Sequence, residues 1–149
     1  MADIEFSVVG YSESATRMAV KARDFTMIVD EPPMLGGEDK GPNPVEYVLG
    51  AIVGCLNVTA HIIAQEMKLT VNKLEIKASG NINPDRLFGK ETEDRAGYKG
   101  VTIDFIVDAD ADSETLGNWL DQVKARCPVS CNLANETPIA IELKIAEAA

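Results

Sequence analysis

Basic side chains are in short supply. Lys and Arg number 14 against 24 Asp and Glu, a net charge of −10. Phosphate recognition needs a cationic face, so no nucleic-acid partner is expected. Histidine occurs once, and the three cysteines include no C-x₂-C pair. His61 also lies away from Cys55 on a helical wheel, so no metal site is expected. A nucleophile–base–orienter set is missing, as is a glycine-rich phosphate loop; Gly36-Gly37 reads as a turn. An odd number of cysteines does not make a disulfide framework. The N-terminal MADIEFSVVG has no basic stretch leading into an apolar run. Together these point to a cytoplasmic protein whose thiols do chemistry. Repeats and low-complexity segments are also missing. With 149 residues, 46% hydrophobic and 26% charged, the chain reads as one ordinary globular domain, 1–149.

The stretch NPVEYVLGAIVGCLNVTAHIIAQEMKL, Asn43 to Leu69, predicts one long helix. Asn43 suits the N-cap, and Pro44 the first helical position, where no amide donor is needed. At 100° per residue, Val48, Ala51, Ile52, Val58, Thr59, Ile62 and Leu69 fall on the Cys55 side. Gly50, Gly54, Asn57, His61 and Gln65 form a small and polar stripe elsewhere. Most of the circumference is apolar, so a buried central helix is expected. Gly50 and Gly54 would admit a second backbone, from this chain or from a partner. Asn57, His61 and Gln65 interrupt the run, and no membrane span is expected.

Ahead of the helix, a strand over Ile4–Val9, a turn over Tyr11–Thr16 and a hairpin from Arg17–Ala22 to Phe25–Val29 are predicted. Asp30–Pro42 (DEPPMLGGEDKGP) is a loop, because its prolines and glycines continue neither helix nor strand. After the helix, Val71–Ile82 and Gly100–Val107 alternate as half-buried strands around a polar segment, Asn83–Lys99. Asp112 or Ser113 caps a helix over Glu114–Arg126, with acids at its start and Lys124 and Arg126 at its end. Pro128 opens a short third helix, putting Cys127 at its N-cap. Pro138–Ala146 (PIAIELKIA) predicts a final strand. The order β-β-β-α-β-β-α-α-β gives an α+β class with mainly antiparallel sheets.

Three thiols are the candidates for chemistry. Aliphatic neighbours on the wheel would raise the Cys55 pKa, and a reactive Cys55 needs a cation from elsewhere in the fold; Arg17, Arg23, Arg86, Arg95 and Arg126 are available. Cys127 at a helix N-terminus is placed to favour thiolate, with Arg126 just before it. Cys131 lies four residues on, so the two share a helical face.

The entry GGEDKGPNPVEYVLGAIVGC (Gly36–Cys55), the exit CPVSCNL (Cys127–Leu133) and the strand–loop–strand block between them resemble the family of osmotically inducible protein C and the organic hydroperoxide resistance proteins (OsmC/Ohr). The resemblance implies an OsmC-like α+β fold in which two chains intertwine as a homodimer around long central helices. It also implies a thiol peroxidase that needs no metal or bound cofactor. In that reading Cys55 is the peroxidatic cysteine and becomes a sulfenic acid. Cys127 condenses with it to a disulfide, and a dithiol reductant resets the pair. The apolar surroundings of Cys55 become a pocket for an organic hydroperoxide. Arg17 with Glu46 is the activating pair that best matches the family's. The family's hydroperoxide branch has glutamate directly after the Asn-Pro; here Val45 occupies that place and Glu46 follows. The branch's N-terminal arginine falls nearer Ser14 than Arg17, and Cys131 is an additional thiol. An alternative within the same fold is a non-catalytic protein that binds an apolar small molecule at the dimer interface, its cysteines inert.

Overall fold

The computed structural model describes residues 1–147. Its order is β1 (Val9–Ser12), β2 (Met18–Ala22), β3 (Phe25–Val29), α1 (Pro44–Glu66), β4 (Val71–Gly80), β5 (Val101–Ala109), α2 (Ser113–Arg126) and α3 (Pro128–Ala134). β1, β2 and β3 form an antiparallel sheet in that order, and β4 pairs with β5. The class is α+β with antiparallel sheets and a central helix. The chain divides into two compact units, residues 1–51 with 78–102, and residues 52–77 with 103–149.

In the first unit the strands run further than the turn residues suggest. β1 occupies Val9–Ser12, not Ile4–Val9, because β2 needs partners for Met18 and Ala19, and Ser12 and Tyr11 supply them. The turn is confined to Glu13–Arg17, where the Glu13 amide reaches the Arg17 carbonyl at 2.9 Å and Ser14 Oγ accepts the Arg17 amide at 2.9 Å. The β2–β3 hairpin turns at Arg23-Asp24, with Arg23 in the left-handed region at φ 55°.

The loop from Asp30 is folded around that residue's carboxylate. Asp30 is fully buried. Its oxygens accept the Thr16 hydroxyl at 2.9 Å and the amides of Glu31, Glu38 and Lys40 at 2.8, 3.3 and 3.2 Å. The close turn this requires passes through Gly36, at φ 87°, and Gly37, where a Cβ would overlap the Glu31 carbonyl. Burial alone would raise the Asp30 pKa, but four donors outweigh it and hold the carboxyl below its ordinary value.

α1 starts as a capping box. Asn43 Oδ1 accepts the Glu46 amide at 2.9 Å, and the Glu46 carboxylate accepts the Asn43 amide at 2.8 Å. The Tyr98 hydroxyl donates to the Val45 carbonyl at 2.7 Å, tying the β4–β5 connection to the first turn. The helix ends at Glu66, short of Leu69, where Lys68 turns left-handed at φ 56°.

The second unit holds most of the core. Ile52, Leu56, Thr59, Ala60, Ile63 and Ala64 bury one face of α1. Trp119 and Val123 of α2 are buried with it, and Phe105 of β5 meets the Trp119 ring edge-on at 6.0 Å between centroids. The Trp119 indole donates to the Ala60 carbonyl at 2.9 Å. A forked ion pair from Arg126 to Glu66, at 2.6 and 2.8 Å, adds a second tie between α1 and α2.

Two expectations are corrected, and the ground for a third changes. The central helix is buried on one face only: Val58 and Ile62 lie open, and a Cβ on Gly50 or Gly54 would meet no atom within 4 Å. A wheel records which sides are apolar, not which side the chain itself covers. By length and composition alone Pro44–Glu66 reaches what a membrane span needs, as the core helix of a soluble protein also can. Asn57, His61 and Gln65 therefore do not by themselves preclude a span, while the expectation of none is not overturned. Residues 138–147 form no strand. Ile139, Ile141, Leu143 and Ile145 alternate with the right period, yet all are more than 80% exposed, for no strand among the described residues pairs with them.

Because the Asp30 pKa is lowered on folding, its contribution to stability is present above the ordinary carboxyl value of about 4 and is lost as pH falls through the folded value. Denaturant midpoints should therefore show Asp30→Asn less stable than the parent at neutral pH. The gap should narrow below about pH 4; a gap independent of pH would remove the assigned role.

Candidate active site

Cys55 and Cys127 lie in the same unit, near enough for each thiol to shift the other's ionisation. Cys55 is carried by the exposed edge of α1's buried face and is half-buried; Cys127 is 1% exposed. The local sequence explains the position of Cys127. Its amide closes α2 on the Val123 carbonyl at 3.2 Å. Pro128 then starts α3 without needing a donor, which leaves Cys127 as the N-cap. In that position its Sγ accepts the Ser130 amide at 3.5 Å.

The two thiols are driven apart in acidity. Burial opposes ionisation at Cys127, but it is outweighed by the Ser130 hydroxyl and amide, the Cys55 thiol and the Val129 amide, so the Cys127 pKa falls below that of an ordinary thiol. At Cys55 burial raises the pKa, and the neighbouring Cys127 sulfur raises it further. The Val129 amide, second only to burial, and the Thr59 hydroxyl pull the other way without cancelling the rise. The Thr59 proton is directed at the Cys55 carbonyl, 2.9 Å away, which limits what it gives the sulfur. Of the two thiols, Cys127 is therefore the one whose ionisation is favoured.

Arg126, the nearest cation in sequence to Cys127, is the one arginine in this unit, and its fork is taken by Glu66. Thiolate stabilisation in this unit thus comes from peptide and hydroxyl donors. Arg17 and Glu46 belong to the other unit and are not paired with each other. Arg17 Nε and Nη1 bind Glu13 and Glu38, each at 3.0 Å. Glu46 is occupied by the capping box. The Asn-x-x-Glu spacing carries that signal, since the fourth residue of such a motif folds back on the cap. His61 binds the Asn57 carbonyl through Nδ1 at 2.9 Å and lies exposed.

A cavity of about 340 Å³ lies in the same unit; neither cysteine lines it, but Leu56, next to Cys55 in sequence, does. Leu56, Ile103, Phe105 and Leu120 supply apolar wall, and Asp104 and Lys124 are polar members. Ser130 also lines it, and the same residue's amide reaches Cys127 Sγ. Sequence reasoning missed Ser130 and Val129; the Cys-Pro start of α3 places them in its first turn, where amides are free.

Comparison with known proteins agrees with this architecture. A family model for OsmC-like protein matches residues 37–142. An OsmC-like protein from Mycoplasma pneumoniae superposes with a TM-score of 0.77 at 19% identity, covering 89% of each chain. An organic hydroperoxide resistance protein OsmC from Legionella pneumophila superposes with a TM-score of 0.66 at 16% identity, over 89% of this chain and 91% of that one. For an organic hydroperoxide resistance protein from Elizabethkingia anophelis the TM-score is 0.64 at 15% identity, over 87% and 88%. No curated protein matches the chain by sequence.

Thiolate absorbance measured against pH checks the order of ionisation. The parent should lose its first thiol proton below the ordinary cysteine value of about 8.5, and Cys127→Ser should lose that early step. An early step that survives in Cys127→Ser and vanishes in Cys55→Ser would reverse the assignment.

Proposed function

The chain belongs to the OsmC-like protein family, and on that footing we propose that it is a thiol-dependent peroxidase that reduces organic hydroperoxides through Cys55 and Cys127. The observation that carries this reading is that one half-buried and one buried thiol, far apart in sequence, lie near enough to shift each other's ionisation in opposite directions.

Access assigns the roles. Cys55 is the sulfur that a substrate reaches, so it is the peroxidatic one, and Cys127 first takes its proton. The Cys55 thiolate attacks the terminal oxygen of the hydroperoxide. The O–O bond breaks, and the alkoxide leaves as an alcohol with the proton returned by Cys127. Cys55 is now a sulfenic acid, and Cys127 is again a thiolate beside it. Its attack on the Cys55 sulfur forms the disulfide and expels hydroxide. A dithiol then reduces the bond by two exchanges. The cavity lined by Leu56, Phe105 and Leu120 takes the organic part of the substrate. Arg17 and Glu46 enter this proposal only as residues that order the first unit and the start of α1.

The same cavity also suits a binding protein, the second reading. In that case Cys55 would alkylate only on denaturation, and an apolar ligand would co-purify.

We propose further that the working form is a homodimer. Ile4, Phe6 and Val8 at one end and Ile139, Ile141, Leu143 and Ile145 at the other alternate as strand faces with no partner among the described residues. A second copy supplies the missing edges and covers Val58 and Ile62.

Two measurements test these statements. Cys55→Ser should abolish dithiol-dependent consumption of cumene hydroperoxide, while Cys127→Ser should yield a single dimedone adduct, on Cys55. Undiminished turnover in Cys55→Ser would falsify the assignment. Sedimentation equilibrium should give the mass of two chains, and termination after Thr137 should lower it; a single-chain mass for the parent would remove the dimer.

A further inference from the structure

The cycle above leaves one thiol unused and one difficulty unsolved. The disulfide it forms includes Cys127, which is buried, and Cys55, which is half-buried, so a dithiol from solution has poor access to it. Of the three thiols, Cys131 alone is exposed. It sits one helical turn from Cys127, its amide bonded to the Cys127 carbonyl at 3.0 Å. One turn separates the two Cα atoms by about 6 Å, inside the window of roughly 4.4–6.8 Å that a disulfide spans. Cβ atoms four apart on a helix stand about 5–6 Å apart, against roughly 3.5–4.5 Å in a disulfide, so closing the bond requires the first turn of the short α3 to tighten. The Cα–Cβ bond of Cys131 tilts toward the helix N-terminus, which is where Cys127 lies. Asn135 holds Cys131 from the other side. Its Nδ2 donates to the Cys131 carbonyl at 3.0 Å and lies 3.7 Å from Cys131 Sγ, a donor for charge on that sulfur.

We propose that Cys131 is a shuttle thiol that carries the oxidised state from the Cys55–Cys127 bond to the protein surface. The proposal rests on the peroxidase reading for its oxidant, an organic hydroperoxide, and names a dithiol as its reductant. The Cys131 thiolate attacks the Cys127 sulfur. A Cys127–Cys131 bond forms, the Cys55–Cys127 bond breaks, and Cys55 leaves as thiolate, ready for the next hydroperoxide. The external dithiol then attacks the exposed Cys131 sulfur, and Cys127 leaves as thiolate. The dithiol's second sulfur closes on its first, releasing Cys131. The dithiol loses two electrons and two protons, and the protein disulfide gains the two electrons. A disulfide between helix positions four apart is a constrained and hence readily reduced bond, which suits a transfer point.

The test compares the full chain with Cys131→Ser. Each is oxidised in parallel with one equivalent of cumene hydroperoxide or with diamide, which joins thiols without peroxide chemistry. Aliquots are trapped with N-ethylmaleimide and digested with trypsin, which puts Cys55 in peptide 41–68 and Cys127 and Cys131 together in peptide 127–144. In the parent, the linked pair of peptides should appear first. It should then give way to 127–144 closed on itself, with Cys55 alkylated. In Cys131→Ser the linked pair should accumulate, and its reduction by dihydrolipoamide should be at least about tenfold slower, since an intramolecular thiol acts at an effective concentration of about millimolar or more. Equal reduction rates for the two proteins, or a parent that stops at the linked pair, overturn the shuttle. If diamide forms the linked pair and the hydroperoxide does not, the peroxidase reading falls, and the shuttle is judged on the diamide-oxidised protein. If neither oxidant forms it, both fall.

Discussion

The bond from the Trp119 indole to the Ala60 carbonyl is the constraint on which the functional unit depends. An indole N–H buried without a partner is costly, so the largest side chain of this core settles where a carbonyl is available. Ala60 and Ala64 are small enough to let it lie against α1, and Phe105 closes on its edge. With Trp119 seated and Arg126 forked onto Glu66, α2 has one placement on α1. The chain leaves α2 directly into Cys127, so fixing α2 brings the second sulfur to the first. Two cysteines 72 positions apart meet because a tryptophan between them has only one good partner.

The first turn of α3 then sets the electrostatics. Buried thiols are ordinarily poor acids, and the arginine of this unit is committed elsewhere. Charge is accepted at Cys127 because Ser130 and Val129 present donors there, and Cys55 adds a third. In the proposed cycle that gradient makes Cys127 first the base, then the acid, then the nucleophile.

Much of this was legible in the chain. Asn43-Pro44 gave the start of α1, Pro128 gave Cys127 its cap, and Arg23-Asp24 gave the hairpin, because each is a local signal with one structural solution. Non-local commitments were not legible. Asp30 reads as one acid in a polar loop, yet its carboxylate gathers donors from Thr16 to Lys40. Arg17 reads as a free cation until Glu13 and Glu38 close on it. The pattern of Ile139 to Ile145 specifies a strand, but alternation carries no information about which chain provides its neighbour. The bare flank of α1 is the same problem on a helix.

Pro128 has one more consequence. A helix start ordinarily offers several unpaired amides, and proline deletes one of them. The Val129 and Ser130 amides both turn to sulfur. Charge on one sulfur raises the cost of charge on the other, and the Val129 amide that Cys55 would draw on is shared with Cys127. In the proposed cycle oxidation removes that cost, because a disulfide carries no charge, and the amides fall vacant until reduction returns a thiolate to them.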